Sequence, residues 1–226
     1  MEESVENQRL PAGRHGLSPE FVVHNQRSRI FDAMARRVAE KGYANTSVEH
    51  VVQLARVSRR TFYDHFRNKE DCFLQTYDGV VSLMVAEMLK AYRAEDQWAA
   101  RVRAGIRAFL HFLQIEPHFA RMCVVEVVAA GHDALERRDA TMRGFVPLID
   151  SIREELEHPE AIPEVTAEAI VGAIYEIVYA RLLKREHETI PALLPEIMYL
   201  TVVPYLGPEA AQREMEAARA VLQSER

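Results

Sequence analysis

The stretch Thr46–Phe73, TSVEHVVQLARVSRRTFYDHFRNKEDCF, decides the fold. It holds two runs too short to stand alone as helices, separated by Arg56-Val57-Ser58 and followed by a third element that opens after Asn68. In the first run Val48, Val51, Val52 and Ala55 recur at helical spacing. Thr46 is placed to cap that run, with Glu49 three positions on to complete a capping box. Ser58 is placed to cap the second run, whose Phe62 and Phe66 stand four apart on one face, ready to pack on Val38, Val48 and Val52. That leaves Arg59, Arg60, Thr61, Tyr63 and His65 over the remaining sides. Two short helices joined by a tight turn have the proportions of a helix-turn-helix. In that arrangement the first residues of the second helix reach base edges, so Arg59 and Arg60 are placed for guanine acceptors or flanking phosphates. Tyr63 and His65 suit phosphate and sugar, and Lys69 adds charge to a phosphate held by the free backbone donors of the next helix.

Outward from this core, Ser18-Pro19 offers a cap and a first-turn proline, and Ile30, Met34 and Val38 carry an apolar stripe to Gly42. Residues 1–20 hold Pro11, Gly13 and Gly16 among polar side chains and form a flexible basic arm, whose Arg9 and Arg14 either reach a minor groove or remain disordered. A fourth helix from Lys69 to about Ala94 is long enough to bridge two domains, with Phe73, Tyr77, Met84 and Met88 on its buried side. Further helices read at Trp98–Ile115, Pro117–Ala130, Ala134–Glu157, Thr166–Lys184, Leu193–Leu206 and Pro208–Gln223, punctuated by prolines. The chain is therefore all-α: residues 21–70 form a three-helix DNA-binding domain and residues 71–226 a larger helical domain for ligand binding and dimerisation.

Charge divides along the same line. From Arg9 to Glu70 there are twelve Lys or Arg against six Asp or Glu, whereas the chain as a whole carries a net charge of −6. A basic head on an acidic body suits a polyanion partner held by the head alone. The polar, acidic N-terminus and the short apolar run MCVVEVVAA indicate neither secretion nor membrane insertion, which places the protein in the cytoplasm. Cys72 and Cys123 lack metal-ligand spacing and read as reduced core thiols, and no metal or other cofactor is expected. With no GxSxG, phosphate loop or HExxH grouping, an enzyme is not expected either.

The helix at 166–184 is apolar nearly all round: Ile170, Ile174, Ile177, Val178 and Leu182 cover one face, and Val171, Tyr175, Tyr179 and Leu183 much of the rest. Such a helix is buried on two sides. One side meets the core and the other a second copy, giving a two-fold interface through helices 166–184 and 193–206, with Leu193, Leu194, Ile197 and Met198 contributing; a wholly internal helix of a monomer is the alternative.

The motif run resembles the DNA-binding signature of the TetR/AcrR family of bacterial transcriptional regulators. The matching residues are Thr46, Val51, Ala55, Val57, Ser58, Phe62, Tyr63, His65, Phe66, Lys69 and Glu70. The resemblance spans about Arg27 to Leu74 and implies a homodimer whose heads read half-sites of a palindromic double-stranded DNA operator, with Thr46, Tyr63, His65 and Lys69 at backbone contacts. Two positions depart from the family pattern: Arg56 stands where glycine is usual in the turn, and Val52 and Leu54 where alanine is frequent. The resemblance also implies that the body binds a small-molecule effector, whose arrival tilts the bridging helix and releases a repressor. An activator or architectural protein without an effector pocket is the alternative. Candidate pocket walls are Trp98, Phe109, Phe112, Phe119, Met122, Met142, Phe145, Tyr175 and Tyr179. Glu126 and Glu176 interrupt apolar surroundings, and each must either pair with an arginine such as Arg181 or mark a ligand or water-filled cavity.

Overall fold

The computed structural model describes residues 19–224, and among these there is no strand. The N-terminal arm carrying Arg9 and Arg14 lies outside the described residues. Helices α1 (Pro19–Lys41), α2 (Val48–Ala55) and α3 (Arg59–His65) pack with the first turns of α4 (Lys69–Arg93) to form the head. Ile30, Met34 and Val38 of α1, Val51 and Val52 of α2, Phe62 of α3, the following Phe66, and Phe73 of α4 make its core, none more than 4% exposed. The Phe62 and Phe66 rings meet at 5.4 Å between centroids, the tilted contact that i, i+4 spacing sets up.

Local hydrogen bonds set the helix boundaries. Ser58 Oγ accepts the Thr61 N–H at 2.9 Å, and Asn68 Oδ1 accepts that of Asp71 at 2.8 Å. The cap of α2 is corrected by one residue. Ser47, not Thr46, accepts the His50 N–H, and His50 Nδ1 completes the box by accepting the Ser47 N–H. Thr46 is 3% exposed, and its hydroxyl lies within hydrogen-bond distance of the Arg37 and Gly42 carbonyls, at 3.1 and 2.9 Å. Its hydroxyl is thus turned inward to the backbone at the C-terminal end of α1.

Arg56 occupies the left-handed region, with φ 53° and ψ 45°. The Val57 N–H returns to the Val52 carbonyl at 3.1 Å, and Arg29 donates to the carbonyls of both Ala55 and Arg56, so the neighbours hold this conformation in place. A side chain at such a position costs about 1 kcal/mol relative to glycine. Arg56→Gly is accordingly expected to stabilise the head by about 1 kcal/mol; chemical denaturation of the two proteins side by side measures it, and an unchanged or lower midpoint would contradict the strain.

The body comprises α5 (Trp98–Ile115), α6 (Pro117–Val124), α7 (His132–Asp150), α8 (Thr166–Leu183) and α9 (Leu194–Ser224), with short 3-10 segments between them. Two boundaries differ from the sequence pattern. The helix expected to run to Ala130 ends at Val124, where the Tyr175 hydroxyl donates to the Val124 carbonyl at 2.7 Å, and continues as a 3-10 turn over Glu126–Ala129. The helix expected to reach Glu157 ends at Asp150, whose carboxylate is held by Tyr205 and Arg153, and a 3-10 segment follows. The two C-terminal helices run on as one element broken at Gly207, which takes φ 79°.

Leu194, Ile197 and Met198 are at most 1% exposed within the single chain. They are core of the body and unavailable to a second copy, which removes these three residues from the expected interface. The outward apolar side chains of this region are Leu183 at the end of α8 and Leu200 and Leu206 on α9, exposed by 50%, 46% and 40%. The segment His187–Ser224 is long and apolar enough by composition to cross a membrane. Its apolar residues Leu194, Ile197, Met198 and Val202 pack instead into the body core.

Candidate nucleic-acid interface and cavity

The exposed face of the head is carried by α3. Arg59 and Arg60 open the helix and project into solvent, and Tyr63 is 50% exposed with its ring edge-on to Phe62. The Ser58 hydroxyl is occupied by capping and by the Thr61 hydroxyl 2.9 Å away, so these two residues shape the start of α3. His65 Nε2 donates to Gln26 Oε1 at 3.0 Å, tying α3 to α1. Burial, followed by the nearby Arg27 charge, holds the His65 pKa below its ordinary value, which favours the neutral ring.

Lys69 differs from expectation. Its ammonium turns inward, donating to the Tyr43 carbonyl at 2.9 Å and lying 4.0 Å from the centroid of the Tyr43 ring. Burial lowers its pKa. A hydrogen bond and a cation–π contact together hold it there, so its outward reach to phosphate is not the arrangement present. Thr46 is likewise removed from the surface. Of the expected basic and aromatic contacts, Arg59, Arg60 and Tyr63 thus face outward, with His65 half-buried behind them.

In the body, α4, α5, α7 and α8 surround a cavity of about 100 Å³. Of the candidate wall residues, Phe109, Met142, Phe145 and Tyr175 line it, together with Met88, Tyr92, Val102, Gly105, Ile106, Leu148, Ile149, Val171 and Ile174. A Cβ added at Gly105 would stand in ordinary contact, 3.6 Å from that of Tyr92, so α5 and α4 are packed side by side here. The two tyrosines of the wall direct their hydroxyls into protein: Tyr92 donates to the Leu148 carbonyl at 3.1 Å, and Tyr175 to that of Val124. What remains toward the cavity is hydrocarbon and ring face, a surface for an apolar ligand.

Several expected wall residues serve elsewhere. Trp98 is 3% exposed and donates its indole N–H to the Ile149 carbonyl at 3.1 Å, and Met122 is fully buried in the core shared with the head. Phe112, Phe119 and Tyr179 pack as partly buried side chains outside the cavity. Glu176 is exposed, and Arg181 pairs with Glu186 at 3.6 Å. Glu126 sits at the seam of body and head, accepting the Tyr43 N–H at 3.0 Å, with Arg121 at 3.4 Å as its ionic partner. Nothing in the sequence distinguishes the unexpected lining residues from ordinary core, because apolar side chains at helical spacing look alike until the helices are placed. Among the described residues no group of three His, Cys, Asp or Glu side chains is arranged to hold a metal ion.

The head has the helix-turn-helix arrangement, and a long helix joins it to a helical body that holds the cavity. Residues 30–76 match the family model of bacterial regulatory proteins, tetR family. Over these residues the chain is similar to that family, and the described residues share the fold of solved regulators. The fatty acid degradation regulator FadR from Bacillus halodurans superposes with a TM-score of 0.70 at 18% identity, over 85% of this chain and 100% of that one. The transcriptional regulator FadR from Bacillus subtilis, in complex with stearoyl-CoA, gives 0.67 at 20% identity, over 79% and 97%. SmeT, the repressor of the Stenotrophomonas maltophilia multidrug efflux pump SmeDEF, gives 0.61 at 15% identity, over 78% and 88%.

Proposed function

We propose that this protein is a cytoplasmic, homodimeric repressor released from a palindromic operator when an apolar small molecule enters the body cavity. The observation that carries the reading is the course of α4. Its Phe73 sits in the head core and its Met88 and Tyr92 wall the cavity, so one rigid helix touches both sites. A ligand favouring a different tilt of α4 changes the spacing of two recognition helices, and the differential affinity for the two arrangements sets the size of the response. The hydrocarbon lining supports an effector with a long aliphatic portion, as in the stearoyl-CoA complex of the Bacillus subtilis regulator. The outward side chains Leu183, Leu200 and Leu206 support dimerisation through α8 and α9.

The test is a binding titration on double-stranded DNA from beside the protein's own gene. Binding that weakens with salt, and is released by stearoyl-CoA but not by coenzyme A alone, is the expected result. Binding to no such fragment sinks the regulator reading. Binding unaffected by stearoyl-CoA or any apolar compound that raises thermal stability sinks the effector reading.

A further inference from the structure

A second cavity, of about 130 Å³, lies where the head meets the body. Glu40 near the end of α1 forms one wall, Pro117, His118 and Arg121 of α6 another, and Arg185 and His187 beyond the end of α8 a third. Four of these six side chains carry or can gain positive charge. Glu40 is the one acid among them, and it is already taken, accepting from Arg37 at 2.8 Å.

The cationic groups have donors to spare. Arg121 gives Nη1 to the Leu182 carbonyl at 2.9 Å and holds Nη2 3.4 Å from Glu126, while its Nε is buried with no acceptor among the described residues. Among those residues the side chains of His118, Arg185 and His187 make no hydrogen bond or ion pair. Arg185 takes φ 63° at the stop of α8, so the chain keeps a guanidinium at a left-handed position that favours glycine. Pro117 at the start of α6 brings that helix's opening turn onto the wall, where the amides that follow have no acceptor within the helix and the positive end of the helix dipole adds to the field.

We propose that this cavity is a binding site for a small oxyanion such as a phosphate group, with Arg121 and Arg185 supplying charge and His118 and His187 donating hydrogen bonds. The volume suits a group of about five or six heavy atoms and is too small for the body of an organic ligand. A surplus of donors suits a guest that only accepts. No residue lines both this cavity and the apolar one, so the site stands apart from the effector reading. His118 gives it a pH signature. Burial, then the Arg36 charge, holds the His118 pKa below its ordinary value, with His187 adding to the lowering and Asp32 and Glu40 opposing it. Arg36 is itself bonded to Asp32 at 2.9 Å, and Glu116, the other carboxylate at this corner, has its pKa raised by burial and then by Asp32. An anion in the cavity favours the charged ring, so binding draws a proton onto His118 and affinity rises as pH falls through the range in which the histidine titrates.

Calorimetric titration of the full chain with sodium sulfate at fixed ionic strength tests the site, because sulfate keeps its charge across the range in which histidine and phosphate both titrate. One saturable site per chain is expected, about five- to tenfold tighter at about pH 6 than at about pH 8. Arg185→Gly suits the left-handed backbone, so it keeps the fold, and should weaken binding about tenfold. His118→Gln should remove most of the pH dependence while leaving affinity at about pH 8 within about twofold of the parent. Inorganic phosphate and glycerol phosphate then compete with bound sulfate. Displacement by the inorganic ion alone marks a site for the free ion, and displacement by both marks a site for a phosphate group on a larger molecule. Overturning results are no saturable sulfate binding, binding unchanged in Arg185→Gly, a pH dependence undiminished in His118→Gln, or displacement by neither phosphate. The stearoyl-CoA titration reads the apolar cavity, and its failure would leave these affinities untouched.

Discussion

Phe62→Ala is expected to remove about 3–5 kcal/mol from the stability of the head, enough to abolish DNA binding by unfolding. The ring is fully buried, touches Phe66 and Tyr63, and seats α3 on α1, α2 and α4. A helix of seven residues has no stability of its own, so α3 exists only because that face is covered. The cavity left by the ring cannot close, because Ile30, Met34, Val38 and Phe73 around it belong to longer helices fixed elsewhere. Chemical denaturation should show the head melting first, with far-ultraviolet helicity falling only in part while the body persists. A midpoint within about 1 kcal/mol of the parent would mean that α3 is held by something other than this ring.

Arg59→Ala combined with Arg60→Ala is expected to weaken binding to an operator fragment about thirtyfold or more, at about 1–3 kcal/mol for each arginine. Both side chains are exposed at the start of α3, so their removal leaves folding unchanged. The salt dependence separates their roles. A loss confined to one DNA sequence reports contacts to base edges, whereas a uniform loss with a shallower salt slope reports phosphate contacts. Unchanged affinity would remove α3 from the interface altogether. Phe62→Ala and the arginine pair thus lose DNA binding by different routes, one with the fold and one without.

The head was largely legible because its signals are local. Ser58 and Asn68 act on amides three residues away, and Phe62 and Phe66 share a face by spacing alone. Arg56 is the informative exception. The turn requires a left-handed residue, and Arg29 reaching back to the Ala55 and Arg56 carbonyls helps hold an arginine in that conformation. Where the reading of Thr46 and Lys69 needed revision, each was a polar residue of the motif whose partner is a backbone carbonyl: Arg37 and Gly42 for Thr46, Tyr43 for Lys69. No spacing rule shows that such a side chain turns inward.

The body was legible only as a set of helices. Phe109, Met142, Phe145 and Tyr175 line the cavity while Trp98 and Met122 fill core, although all six are large apolar or aromatic side chains at helical positions. Leu194, Ile197 and Met198 point into the same chain, and Leu183, Leu200 and Leu206 point away from it, within one continuous apolar pattern.

By itself the sequence determined the all-helical class and the order of the helices, the cap at Ser58, the aromatic seat of α3 and the contrast between basic head and acidic body. These depend on hydrogen bonds and packing within a turn or two, and on charge that survives any folding. Only the tertiary structure decided which apolar side chains enclose a space, where α6 stops and which residue Glu126 serves. Those outcomes depend on groups such as Tyr175 and Val124, or Glu126 and Tyr43, that the chain brings together from distant positions. A buried acceptor takes whichever donor the packing delivers, and packing is a property of the whole fold.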